Sequence, residues 1–427
     1  MTVRLALLVG RLATVVVPPA IMAWAWLACE HYGCALSGPL ADPALDLAGL
    51  AARLPTPTGA TLAAVTGWCA IQALLAQTIP GPVHVGTVTP AGRRLAYRVN
   101  GLGAWLVTAT LAGATLGAGA VPATLVPNHW GSLLASANVL GFLATGGAWI
   151  KGHRWPTWAD ERLFRGSALA DFAHGIELNP RVGPFDLKLL LIGRVGMIGW
   201  TAVVCSFAAA QLAARGTIGA PMIVLIALQL LYALDFFARE AWYLTTLDIV
   251  ESRFGFLLAW GGLVWLPFFY ALPVVYQAHQ AVVLGPGALV AISALGLLGY
   301  GLFRSANEQR YRARRLGSRC RIFGRPARLI EAPFVTADGA RHTSLLLASG
   351  WWGIVRHPNY LGDLAMATAM GLACGVSHLL PWLYPIFLAG LLVRRLLRDE
   401  RRCHDKYGRA WDAYRALVPY RLIPWIW

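Results

Sequence analysis

Charge is what this chain has least of. Charged side chains make up 13% of its 427 residues, against about 25% in soluble domains, and acidic groups are the scarcer kind, with 20 Asp and Glu against 36 Lys and Arg. With 57% of the residues hydrophobic, too few polar side chains remain to cover a water-soluble body of this size, so a soluble multidomain protein is excluded. The seven cysteines show no CxxC spacing and no Cys/His pattern of metal-site type, so no metal centre is expected. Cys29 and Cys34 could pair at the end of the first apolar run, although separate thiols are the favoured reading. No G-x-G-x-x-G after a strand and no G-x-x-x-x-G-K-[ST] occurs, which excludes the usual dinucleotide and P-loop solutions. There is no Gly/Ser-rich linker, no internal repeat and no small-residue cleavage site after the first apolar stretch.

What remains is apolar runs. Stretches of about 20 apolar residues read as spanning helices, and they fall near 5–27, 59–79, 101–126, 130–150, 195–214, 218–238, 256–276, 280–303, 361–376 and 378–397. The fold class is all-α, a multi-pass integral membrane protein with about ten transmembrane helices. One integral domain, 1–427, is expected, with spans in 1–303 and a basic part in 304–427.

Nine Arg lie between Arg304 and Arg328, and eight Arg plus Lys406 between Arg394 and Arg421. Such blocks mark cytoplasmic loops, or they bind an anionic group. The first block reads as a loop from Arg304 to Ser349 with a turn at 337–339. The second reads as an amphipathic helix from Arg398 to about Ala416, with Trp411, Tyr414 and Leu417 on one face. Inside an otherwise apolar helix, Asp235, Arg239, Glu240, Tyr243 and Asp248 stand out, because spans carry ionisable groups only toward a cavity or a partner. Asp235 and Arg239 are spaced to neutralise each other. Glu240 and Tyr243 either share a pocket or belong to an interfacial belt. Trp351, Trp352, Arg356, His357, Asn359, Tyr360 and Asp363 fall within thirteen positions. Guanidinium, flat rings and amide groups together are the inventory of a nucleotide pocket.

At these residues the chain becomes recognisable. Ser349-Gly-Trp-Trp-Gly-Ile-Val-Arg-His-Pro-Asn-Tyr-Leu-Gly-Asp363 and Leu397-Arg-Asp-Glu-Arg-Arg-Cys-His-Asp-Lys-Tyr-Gly-Arg-Ala-Trp411 resemble the signatures of the sterol reductase family of membrane enzymes. The resemblance continues upstream through Gly175-Ile-Glu-Leu-Asn-Pro-Arg181, Phe185-Asp-Leu-Lys188, Gly193-Arg-Val-Gly-Met197 and Trp242-Tyr-Leu-Thr-Thr246. Val88-Thr-Pro-Ala-Gly92, Asn100-Gly-Leu102 and Arg319-Cys-Arg-Ile-Phe-Gly-Arg-Pro326 are more similar to the 7-dehydrocholesterol reductase branch than to the 14-reductases. Two departures stand out: Arg310 where many members have Lys, and Pro358, which is commoner among the 14-reductases.

The resemblance implies reduction of a sterol ring double bond, C7=C8 in this branch, with NADPH as cofactor. It implies cofactor contacts from Arg310, Arg314, Leu347, Trp352, Asn359, Tyr360, Asp399, Cys403, His404, Asp405, Lys406, Tyr407 and Tyr414. Arg310, Arg314 and Lys406 suit the phosphates. An unactivated alkene takes hydride only as it is protonated, and Tyr243, Glu240 and Asp399 are the candidate acids. The implied partners are a sterol and membrane lipids, with no nucleic acid and an open oligomeric state. The host membrane would be the endoplasmic reticulum in a eukaryote or the inner membrane in a bacterium. The alternatives are a 14-reductase, a non-catalytic sterol-binding protein and a membrane S-adenosylmethionine-dependent methyltransferase.

Overall fold

The computed structural model describes residues 2–280, 282–337 and 339–427. The chain packs into two compact units. The first unit comprises 1–89, 93–283 and 377–380, and the second comprises 90–92, 284–376 and 381–427.

The first unit is a helical bundle. Its helices are α1 (Thr2–His31), α2 (Gly59–Thr78), α3 (Gly101–Gly117), α4 (Trp130–Arg154), α5 (Leu187–Arg215), α6 (Ala220–Ala238), the short α7 (Glu240–Tyr243) and α8 (Phe256–His279). Backbone groups in lipid must be satisfied internally, so each run closes its own hydrogen bonds, and α2 and α5 also cap their starts with side chains. Thr58 and Thr61 exchange side-chain bonds with each other's backbone N–H at the start of α2. The Asp186 side chain accepts from the Lys188 and Leu189 N–H groups at the start of α5. Helix α5 widens to a π-helical stretch at Leu191–Gly196, and α8 does so at Gly261–Phe269. These stretches meet backbone to backbone: a Cβ on Gly196 would lie 2.5 Å from the Gly262 carbonyl oxygen. Two hairpins, β1 (Val83–Val85) with β2 (Ala96–Arg98) and β3 (Arg181–Val182) with β4 (Phe185–Asp186), flank the bundle's polar segments.

Cys29 and Cys34 form a disulfide, correcting the expectation of separate thiols. After α1 stops, Gly33 and Cys34 both take positive φ, and the Cys34 N–H returns to the Ala28 carbonyl at 2.9 Å. This folds the two sulfurs together. Both sulfurs also lie within 4.8 Å of a ring nitrogen of His279, a proximity that sequence spacing did not show; the disulfide leaves neither sulfur as a thiolate ligand.

The second unit is built on α9 (Pro286–Leu316), the hairpin β5 (Leu329–Val335) with β6 (Arg341–Leu347), α10 (Pro358–Ala373), α11 (Leu383–Tyr407) and α12 (Arg409–Leu417). Helices α9 and α10 cross closely because both are glycine at the contact: a Cβ on Gly362 would lie 2.5 Å from the Phe303 nitrogen.

Among the described residues, eight helices are long and apolar enough to cross a membrane, and α3 is a shorter apolar helix. Two of the expected ten spans fall short: α3 stops at Gly117 rather than 126, and α10 has 16 residues. The expected Arg-rich loop is a correction. Helix α9 continues through it to Leu316, because Ala, Arg, Gln and Glu are strong helix formers, and Gly317 then turns the chain at φ +54°. The loop's remainder is the β5–β6 hairpin, which the all-α reading did not resolve. The expected C-terminal helix is broken at Gly408, φ +49°; Trp411 and Tyr414 are buried, but Leu417 is 38% exposed. The expected turn at 337–339 and span 280–303 include Asp338 and Ala281, which lie outside the described residues.

Candidate active site

In the second unit, the apolar-to-basic switch along α9 places Arg310 and Arg314 on its last turns. Being i and i+4, they share a face and repel one another. The Arg310 guanidinium lies over the Trp352 ring, 5.2 Å from its centroid, where the ring's π-face attracts the cation. Trp352 is fixed from three sides. Its Nε1–H donates to the Ala306 carbonyl at 2.7 Å. Its own carbonyl accepts from the Tyr414 hydroxyl at 3.3 Å. Its ring packs with Leu347 and Ala313. Burial pushes the Tyr414 phenol up, so it stays a neutral donor. Arg310 and Asp399 both lie within electrostatic range of Arg314, His357, Cys403 and Tyr414.

Pro358 opens α10 at a position that needs no N–H, and the residues around it face this cluster. The His357 ring stacks on Tyr360 at 5.0 Å. It is 4% exposed, and burial pushes its pKa down to about 4 against the nearby carboxylates of Asp399 and Glu400, so the imidazole is neutral. Its Nε2 has no hydrogen-bond partner. Asn359 donates to the Asn307 side-chain oxygen at 3.4 Å, while its own Oδ1 is buried without a partner. Buried polar atoms are rarely left so, and these two acceptors suit a ligand that brings N–H or O–H donors.

Other expected residues stand differently. Asp399 is held by Arg402 at 3.3 Å. Cys403 packs with Trp411 and Tyr414 in an apolar cluster. The Lys406 ammonium sits 3.6 Å from the Phe334 ring centroid, and Tyr407 meets the same ring edge-on. His404 and Asp405 are 56% and 81% exposed along their side chains, and the His404 ring reaches toward Asp405 and Asp412 rather than toward Arg310. Arg356 belonged to the nucleotide inventory by composition, yet it is a clamp. Its Nε donates to Glu400 at 2.7 Å, and its other donors reach the Val418 and Pro419 carbonyls at 2.8 Å. Arg421 donates to the second Glu400 oxygen at 2.9 Å, so this group of charges fastens the C-terminal segment.

In the first unit, Glu240 and Tyr243 lie at the two ends of α7. Both Glu240 oxygens are taken: Oε1 accepts from Arg194, and Oε2 accepts from the Gly101 N–H at 2.8 Å. Arg194 also donates to Asn100 at 2.8 Å, and Asn100 in turn donates to the Ala76 and Ile79 carbonyls at the end of α2. Glu240 therefore ties α3, α5 and α7 together. Tyr243 is buried with Leu95, Tyr97, Leu189 and Leu244, its ring 5.2 Å from Phe236. Asp235 and Arg239 form the expected self-neutralising pair at 2.8 Å. Sequence reasoning assigned no role to Arg194, Asn100, Gln309 or Glu400. Arg194 did carry a signal, a charge in the middle of an apolar run. Gln309 carried none, although its side-chain oxygen accepts the Trp351 N–H at 3.0 Å.

The chain matches the ergosterol biosynthesis ERG4/ERG24 family over residues 49–427. It is 41% identical to a 7-dehydrocholesterol reductase of Xenopus laevis over 427 residues, covering 95% of this chain and 89% of that protein. A 7-dehydrocholesterol reductase of Danio rerio is 39% identical, covering 95% and 88%. A Delta(14)-sterol reductase of Methylotuvimicrobium alcaliphilum is 38% identical, covering 87% and 84%.

Proposed function

Because the chain belongs to the ergosterol biosynthesis ERG4/ERG24 family of sterol reductases, multi-pass membrane enzymes, we propose that it reduces the C7=C8 double bond of a 7-dehydrocholesterol-type sterol with NADPH. The observation that supports a cofactor site in the second unit is the convergence of Arg310 on Trp352 beside two buried acceptors, His357 Nε2 and Asn359 Oδ1. These donors and acceptors fit NADPH: Arg310 and Arg314 suit its phosphates, and the two acceptors suit its amide and hydroxyl groups. When bound, NADPH would supply the hydride.

The chain's own part is to deliver the proton and to keep water from the cation that protonation creates. A ring alkene or diene carries no carbonyl to polarise, so a protein acid must add a proton to one alkene carbon and the hydride must add to the other. Tyr243 is our first choice for that acid, since its side chain is buried in an apolar cluster, where a phenol stays protonated. We assign Glu240 to holding α7 in place through Arg194 and Gly101, and Asp399 to the cofactor side. A second reading, reduction of a C14=C15 bond, is favoured by the relative named Delta(14)-sterol reductase.

Purified protein in lipid vesicles, incubated with NADPH and either a 7-unsaturated or a 14-unsaturated sterol, separates the two. The proposal expects the 7-unsaturated sterol to gain one dihydrogen while the 14-unsaturated one is recovered unchanged. The reverse pattern would favour the second reading, and no reduction of either would refute both.

A further inference from the structure

Four segments that the sequence reading singled out, and that the reduction does not use as a cofactor site, meet in one place. Asn100 at the start of α3, Arg181 and Asp186 of the β3–β4 hairpin, and Arg194 of α5 line a cavity of about 230 Å³ in the first unit, together with Tyr97 and Arg98. Three arginines from three separate segments therefore border one space.

Their hydrogen bonding is incomplete. Arg194 is 1% exposed, and its two terminal nitrogens are spent on Glu240 and Asn100, yet its Nε has no partner. Arg181 lies over the Tyr97 ring at 5.3 Å and donates to the Ala96 carbonyl at 2.7 Å, but its Nε makes no hydrogen bond. Arg98 uses one nitrogen on the Gln77 carbonyl at 2.7 Å. Asp186 is 7% exposed. Its Oδ1 caps α5, while its Oδ2 lies 3.9 Å from the Arg181 Nε and has no hydrogen-bond partner. Unsatisfied buried donors and an unsatisfied buried acceptor on residues that line one cavity suit an occupant that completes both.

That occupant must offer several acceptor oxygens to guanidinium groups and one donor to Asp186. We propose that this cavity binds a phosphate monoester group, in its singly protonated form. Its negatively charged oxygens accept from Arg98, Arg181 and Arg194 in charge-assisted bonds, and its P–OH donates to Asp186 Oδ2. A sulfate or a phosphodiester has the oxygens but lacks that proton, so Asp186 rejects it by leaving two anionic oxygens face to face. The group could arrive as free phosphate or as the headgroup of a phosphatidic acid.

The test is thermal unfolding of the full chain without NADPH, read with inorganic phosphate, with sulfate and with neither. In detergent, both anions strengthen apolar burial in general, so at matched millimolar ionic strength phosphate is expected to raise the unfolding temperature clearly more than sulfate does. Measured in an Arg310→Gln background, which removes a phosphate-binding arginine of the second unit, the double variant Arg98→Gln/Arg181→Gln should weaken the remaining phosphate binding about tenfold or more. Asp186→Asn still caps α5 and offers an N–H donor, so it should admit sulfate. In nanodiscs of phosphatidylcholine, a lipid source is supported if phosphatidic acid stabilises the protein and phosphatidylserine does not; a soluble source is supported if only added phosphate acts. Equal effects of phosphate and sulfate on the unaltered chain, or a double variant that binds phosphate as its Arg310→Gln parent does, would overturn the proposal. Neither result depends on sterol reduction, so the two readings fail separately.

Discussion

Arg194 and Arg310 both sit on spanning helices, and the two units treat them in opposite ways. In the first unit Arg194 is enclosed, bonded to Glu240 and Asn100, with side-chain exposures of 1% and 0% across the ion pair. Its neighbours follow the same rule: Lys188 is fully buried on the Asp248 and Ile249 carbonyls, and Lys151 is held by Glu177 at 2.9 Å. In the second unit Arg310 rests on a ring face and Lys406 lies over Phe334. The terminal nitrogens of Arg194 and the ammonium groups of Lys188 and Lys151 are spent on holding segments of the first unit together. Arg310 and Lys406 are held instead against ring faces, an arrangement that suits an anionic cofactor.

The contrast can be broken at its buried ion pairs. Arg194→Met leaves Glu240 with a single N–H in a dry site, and stability should drop by about 3–5 kcal/mol. Arg356→Met in the second unit should cost less, because Glu400 keeps Arg421 as a partner. Urea or thermal unfolding of both variants in detergent checks the order, and a larger loss for Arg356→Met would put the two units on the same footing.

The glycine crossings come next. Gly196→Ala and Gly362→Ala would each press a Cβ into opposing backbone at 2.5 Å, and each should cost about 1–3 kcal/mol. Gly301→Ala on α9 meets nothing within 4 Å, so it should be neutral or slightly stabilising, by about 0.5–1 kcal/mol. Comparable losses at all three positions would mean that close approach is not what these glycines provide.

The smallest effect expected is one of pH. Burial holds His357 near a pKa of about 4 in the folded chain, against 6.5 when unfolded. Between those values the unfolded chain takes up a proton that the folded one refuses, so stability is complete above pH 6.5 and falls as pH drops toward 4. His357→Gln should flatten that part of the unfolding-temperature profile. An unchanged slope would assign it to other groups.

Much of this arrangement was legible in the sequence. The apolar runs located the helices because lipid leaves the backbone no other partner, and the Trp351-to-Asp363 segment pointed to a binding site through side-chain types alone. Other parts depend on which atoms end up opposite each other, and periodicity does not carry that. Arg356 and Arg310 are both arginines beside aromatics in sequence terms, yet one meets Glu400 and two carbonyls while the other lies free over Trp352. The Cys29–Cys34 disulfide depends on two successive positive φ angles after α1, which local composition barely signals. The Arg-rich segment read as a loop because its charge outweighed its helix-forming content, and the β5–β6 pairing was hidden behind it.

The proposal that Tyr243 donates the proton and Arg310 holds the cofactor is tested most directly by titrating NADPH into the purified full chain and into Tyr243→Phe and Arg310→Gln, with sterol turnover followed on the same samples. Tyr243→Phe is expected to bind NADPH as the unaltered chain does while turning over about 10²–10⁴-fold more slowly. Arg310→Gln is expected to bind it more weakly. Undiminished turnover by Tyr243→Phe, or undiminished NADPH affinity in Arg310→Gln, would contradict the assignment.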